Sequence, residues 1–173
     1  QAADLHRQTL EDRTRILGAN HPATLRSRSN VAASLLGLGE YAQAAELSRQ
    51  TLEDQTRILG PDHPDTLDSR HTLAASLLGL GEYAQAAELS RQTLEDQTRI
   101  LGPDHRDTLR SRSNVAASLL GLGEYAQAAE LHRQTLEDRT RILGHQHPDT
   151  LRSRSDLELA LAALRPGRRR RVR

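Results

Sequence analysis

The ten residues ILGPDHPDTL (58–67) return with small changes at 16–25, 100–109 and 142–151, each copy 42 positions after the last. A chain held to a period of that length is confined to architectures that stack one supersecondary unit on copies of itself. The agreement extends well past the connector. Segments 41–82 and 83–124 differ at only five positions, so they must fold alike. A further copy begins at 125 and diverges after about 157, and the opening of the chain matches 43–60. The sequence therefore starts inside a unit.

Each unit reads as two helices. The first runs from about 63 to 80, with Leu67, Ala74, Leu77 and Leu78 at helical spacing. Asp62 is the expected N-cap, with Asp65 three residues on and Pro64 in the first turn, where a missing N–H costs little. Gly79 and Gly81 loosen the end, and GLGE turns the chain. The second helix spans about 82–101 with the stripe Tyr83, Ala86, Ala87, Leu94, Ile100 and Leu101. Gly102 is the expected left-handed cap, with Pro103 beyond it. The opposite face carries Glu46, Arg49, Glu53 and Arg57, a solvated row of alternating charge.

Composition favours the same answer. There are three Tyr and neither Phe nor Trp, so Ala and Leu must supply the core, and the elements must approach closely. Helices do this more readily than a sandwich of strands. There is no Cys, which excludes disulfides and thiol chemistry and fits a cytoplasmic setting. No apolar run approaches the roughly 20 residues of a membrane span. The reading divides the chain into a repeat array over 1–164 and an Arg-rich tail over 165–173. Within the array stand a lone second helix (1–17), units at about 21–60, 63–102 and 105–144, and a lone first helix (149–164).

Helix-turn-helix units with Ala32 and Ala44 at close-packing positions, and Tyr41 after a Gly-containing turn, resemble tetratricopeptide repeats. The 42-residue period and the connector resemble more closely the long variant of kinesin light chains and of many bacterial regulatory proteins. Two features depart from that pattern. The large aromatic of the second helix is replaced by His6, Ser48, Ser90 and His132, and the paired Asn of the first helix survives only as Asn30 and Asn114, with Thr72 and Asp156 at the other two places. The resemblance implies an all-α, right-handed superhelical solenoid. It also implies a scaffold whose first helices line a concave groove for an extended peptide or a partner helix.

The five differences between the best-matched units are Pro64/Arg106, Asp68/Arg110, His71/Ser113, Thr72/Asn114 and Leu73/Val115. Positions 68, 71 and 72 share a helix face, which by the resemblance points into the groove. Divergence there is what retuning for a ligand would produce. The expected groove residues are Arg26, Asn30, Asp68, His71, Thr72, Arg110, Ser113, Asn114, Arg152 and Asp156. Arg26, Arg110 and Arg152 would offer cations for bidentate pairing with carboxylates, while Asn30 and Asn114 would bond a ligand backbone. The implied ligand is an extended acidic segment of a protein partner.

The repeated His21, His63, His105 and His147 are expected to serve structure at the helix start. Successive copies stand about two helix diameters apart, on the order of 16–20 Å, whereas zinc ligands gather about 2 Å from one ion. His145 and His147 are too few for a metal site. No phosphate-binding Gly loop, HExxH, GxSxG or Cys nucleophile is present, so neither enzyme nor cofactor is expected. The tail has six Arg and no aromatic, offering phosphate contacts without base stacking, so nucleic acid is not the expected partner. One alternative stays open. The lone terminal helices are two halves of one unit, and a second copy joining them would assemble head to tail, or units would swap.

Overall fold

In the computed structural model, which describes residues 2–165, all regular structure among the described residues is helical. The order is α1 (Ala2–Leu17), α2 (Pro22–Gly37), α3 (Tyr41–Leu59), α4 (Pro64–Gly79), α5 (Tyr83–Leu101), α6 (Arg106–Gly121), α7 (Tyr125–Leu143) and α8 (Pro148–Leu164). The even-numbered helices are the first helices of their units and the odd-numbered ones the second. Apart from Arg165, the Arg-rich tail lies outside the described residues.

Every helix packs on its neighbours in the chain. First helices also touch one another, α2 on α4, α4 on α6 and α6 on α8, whereas among the described residues no second helix reaches another. Two layers, one closely spaced and one splayed, must curve toward the closer layer. The first helices thus form the concave side of an all-helical repeat solenoid.

The core is a chain of small clusters built largely from Ala, Leu and Val. Ala45, Leu73, Leu77 and Ala86 form the middle one, and Val115, Leu119, Ala128, Ala129 and Ala160 the next. The stripe expected on the second helix needs correction. Ala86 and Ala87 are buried, but Tyr83, Ile100 and Leu101 remain exposed, and the stripe continues inward through Ser90, Thr93 and Gln97. These polar residues can be buried because most find partners. Thr93 Oγ1 donates to the Leu89 carbonyl one turn back (2.7 Å), and Gln97 Oε1 accepts from Ser111 Oγ of the following helix (2.8 Å).

The connector shows what the repeated histidine does. In all four copies the His is the N-cap, and its Nδ1 accepts the backbone N–H two residues on, at 3.1–3.2 Å. Nδ1 lies as many bonds from Cα as the Oδ of a capping Asp, so it reaches the same orphan donor. Asp62 is therefore not the cap; it accepts instead from Nη2 of Arg99 at 2.9 Å. The Thr three residues after each His then ties the new helix back to the old one, as when Thr66 Oγ1 donates to the Gly60 carbonyl (2.9 Å). Gly102 has the positive φ expected of a cap (89°), but its ψ of 164° is extended rather than left-handed helical.

An Arg–Asp–Arg triad ties the two helices of each full unit. Asp54 accepts from Arg28 (2.7 Å) and Arg57 (2.9 Å), Asp96 from Arg70 and Arg99, and Asp138 from Arg112 and Arg141. Hydrogen bonding from Arg28, then Arg57, holds the Asp54 carboxyl below its ordinary value. Burial pushes Asp96 and Asp138 upward, but their two guanidinium partners outweigh it, and both also end lowered. Carboxyls depressed in the folded state bind fewer protons than in the unfolded chain. Their stabilisation is complete above the ordinary carboxylate value of 3.8 and is lost as pH falls below it. Urea midpoints should accordingly hold from pH 7 to 5 and decline below about 4. The triple variant D54N/D96N/D138N should show a shallower decline, and an equally steep one would refute this assignment.

Candidate binding groove

The ten residues expected in a groove line two concavities on the first-helix side. One, about 260 Å³, takes in Arg26, Asn30, Asp68, Thr72 and Arg110. The other, about 430 Å³, takes in His71, Arg110, Ser113, Asn114, Arg152 and Asp156. Arg110 borders both, so the two form one track across the units.

Several of these groups are already engaged, which changes the expected electrostatics. Arg26 Nε donates to Asp65 Oδ2 of the next unit (3.1 Å), and Arg110 Nη2 to Asp68 Oδ1 of the previous one (2.7 Å). Two of the three expected free cations are thus inter-unit ties. Arg152 has no carboxylate within ion-pair distance among the described residues. Asn114 Nδ2 donates to Nδ1 of His71 (3.2 Å), so its amide is partly committed. Burial, reinforced by the Arg110 charge, pushes the His71 pKa down to about 3, and the ring is neutral. Thr72 and Ser113 donate to their own helix, to the Asp68 and Leu109 carbonyls.

The larger concavity also holds four ionisable groups absent from the expected set: Arg106, His132, Arg139 and Asp149. Arg106 stands where other units have the Pro of HPD. His132 and Arg139 are seven residues apart on one face of α7, where α3 and α5 carry Ser48, Gln55, Ser90 and Gln97. Arg139 is 7% exposed and His132 2%. Arg139 Nη1 donates to Ser153 Oγ (2.8 Å) and the Asp149 carbonyl oxygen (3.3 Å). No carboxylate lies within ion-pair distance of it among the described residues, and burial pulls its pKa down against the attraction of Asp149 and Asp156. The readable signal is the departure of α7 from α3 and α5, which a comparison of the two most similar units passes over.

Further along the first helices, Leu36, Ala75, Ala117, Leu120 and Leu159 line the same concavity. The track therefore has a charged lane near the helix starts and an apolar lane toward the helix ends. His147, half of the HQH pair, has its Nδ1 engaged in the α8 cap.

Comparison with known proteins agrees with this architecture. The tetratricopeptide repeat model matches residues 1–55, 28–97, 73–139 and 107–167, nearly the whole chain. No curated protein matches it in sequence. Among solved structures it is similar to a Podosopora anserina protein assigned as a kinesin light chain with nearly identical TPR-like repeats. The identity is 28%, over 93% of this chain and 76% of that one, with a TM-score of 0.74, and 0.75 for a single-substitution variant of the same protein. BtubC (BKLC) from P. vanneervenii shares the fold at 18% identity, over 94% of this chain and 65% of that one, with a TM-score of 0.73. A 42-residue helical hairpin, stacked so that its first helices close a concave track and matched over nearly its whole length, places the chain in the tetratricopeptide repeat family.

Proposed function

We propose that the concave track holds an extended acidic segment of a partner protein, with its carboxylates on the charged lane and its apolar side chains on the other. Tetratricopeptide repeats generally mediate protein–protein interaction and are generally non-catalytic, and the finer reading builds on that. One observation carries it: Arg106 and Arg152 line the larger concavity beside an apolar row, and among the described residues neither has a carboxylate within ion-pair distance, although Asp149 and Asp156 share the wall. Convergent unpaired guanidiniums are suited to carboxylates, and the apolar row to the remaining contacts of an extended chain.

Head-to-tail assembly is the weaker reading. Leu5, Ile16, Leu159 and Leu161 are exposed at the two ends of the array. However, Glu158 stands exposed on α8 where Ala32, Ala74 and Ala116 are buried on first helices that have a following helix. A second copy docking there would bury that carboxylate.

The test is fluorescence anisotropy with a labelled octapeptide of alternating Glu and Leu, and with a Lys/Leu counterpart. Saturable, salt-sensitive binding of the acidic peptide alone is expected, weakened at least about tenfold by R106E/R152E. Equal binding of both peptides, or an unaffected double variant, would refute the proposal.

A further inference from the structure

We infer that the concavity between α6, α7 and α8 is a pocket for a phosphoryl group carried on the bound segment, with Arg139 at its base and Arg106 and Arg152 at its rim. The inference deepens the groove reading and rests on it only for how the phosphoryl group arrives.

Three guanidiniums reach this space from three different helices, and none has a carboxylate within ion-pair distance among the described residues. A planar carboxylate is satisfied by one guanidinium fork, with two parallel N–H···O bonds. A tetrahedral phosphoryl group presents three strong acceptor oxygens and about −1.5 to −2 charge, and so can use donors approaching from several directions. The pocket is built from departures from the repeat. Arg106 replaces Pro, and Arg139, like Arg13 in α1, stands where α3 and α5 carry Gln55 and Gln97.

His132 is the independent observation. It is 2% exposed and lines the pocket, and its Nδ1 has no hydrogen-bond partner among the described residues. The equivalent His6 in α1 pairs its Nδ1 with Ser34 Oγ at 2.8 Å. In the last unit the Ser34 position is Ala160, so the partner is gone while the histidine stays. The unpartnered Nδ1 is buried toward Ala160, so the ring faces the pocket by its other edge, beside the three guanidiniums. The acids on the wall are Asp149 and Asp156, and Arg110 is already tied to Asp68. The two wall carboxylates oppose an anion, so D156N should tighten its binding.

The experiment uses the full chain and calorimetry with three probes: a Glu/Leu octapeptide bearing one phosphoserine, the same peptide with Ser, and inorganic phosphate. The phosphopeptide should bind at least about tenfold more tightly than the Ser peptide, a gain that R139Q erases. Binding of the phosphopeptide should also raise the His132 pKa followed by NMR. If the Ser peptide binds and phosphorylation adds nothing, the pocket is refuted and the groove reading stands. If neither peptide binds but inorganic phosphate does, with the same loss in R139Q, the pocket stands and the groove reading falls. Inorganic phosphate matching the phosphopeptide while the Ser peptide binds would overturn the segment-borne source.

Discussion

Replacing Gly79 or Gly121 with Ala should lower stability by about 1–3 kcal/mol, the usual cost of overpacking, whereas the same change at Gly37 should not lower it. The three glycines end α2, α4 and α6 at equivalent positions. In an isolated helix the change to Ala is favourable by roughly 0.5–1 kcal/mol, less at a helix end. Tertiary contact reverses the sign. A Cβ on Gly79 would lie 2.4–2.6 Å from ring atoms of Tyr41, and one on Gly121 would lie 2.3–2.5 Å from those of Tyr83. The atoms struck include Cγ, which turning the ring about Cβ–Cγ does not move, so a ring flip does not clear the clash. Nothing lies within 4 Å of a Cβ on Gly37, because no tyrosine precedes α2. Ala163 occupies the corresponding place in α8, but no helix follows it among the described residues, and that backbone can yield. At 79 and 121 the chain runs through a tight turn into the next helix. Urea unfolding of the three single variants decides the matter, and G79A or G121A as stable as G37A would refute the close-approach argument.

This contact shows what a repeat makes legible. The period, the helical hairpins and the first-helix face can be read because each signal occurs up to four times, so the chance patterns that mislead a single segment average out. Three features stay hidden for physical reasons. Sequence reasoning puts the cap on Asp62 because carboxylates are the usual caps, yet the His beside it offers an acceptor at the same reach. It looks for the inner stripe of the second helix among apolar residues, but Ser90, Thr93 and Gln97 are buried there. Thr93 is satisfied one turn back along its own helix, and Gln97 by the following one. Arg26 looks free in the sequence because its partner Asp65 is 39 residues away, in another unit; for Arg110 the hydrogen-bonded partner Asp68 is 42 residues away, and only the looser pair with Asp107 (3.5 Å) follows a local i,i+3 pattern.

Arg139→Gln should raise stability by about 1 kcal/mol, the low end of what replacing a buried ion pair by neutral, well-packed residues gives. Arg139 as a residue is 7% exposed, so its guanidinium has lost part of its hydration, and here no carboxylate replaces it at contact distance. Ser153 and a carbonyl oxygen accept its protons, and the attraction of Asp149 and Asp156 is countered by the Arg152 and Arg106 charges, so burial decides the sign. Glutamine at this place is neutral, and Gln97 accepts from Ser111 Oγ (2.8 Å), the serine equivalent to Ser153; Gln55 donates to Ser29 Oγ (3.1 Å) but keeps its buried Oε1 without a partner among the described residues. The substitution removes the desolvation cost and keeps a hydrogen bond to the facing serine. Arg13 provides the control. It occupies the same position in α1 and bonds Ser27 Oγ (2.9 Å), but it is only half-buried, so R13Q should change stability little. A higher urea midpoint for R139Q than for R13Q is the expected result, and a lower one would mean that the charge is compensated within the fold. A higher midpoint for R139Q would show that the charge at 139 is kept at a cost to the fold, as at sites that trade stability for function.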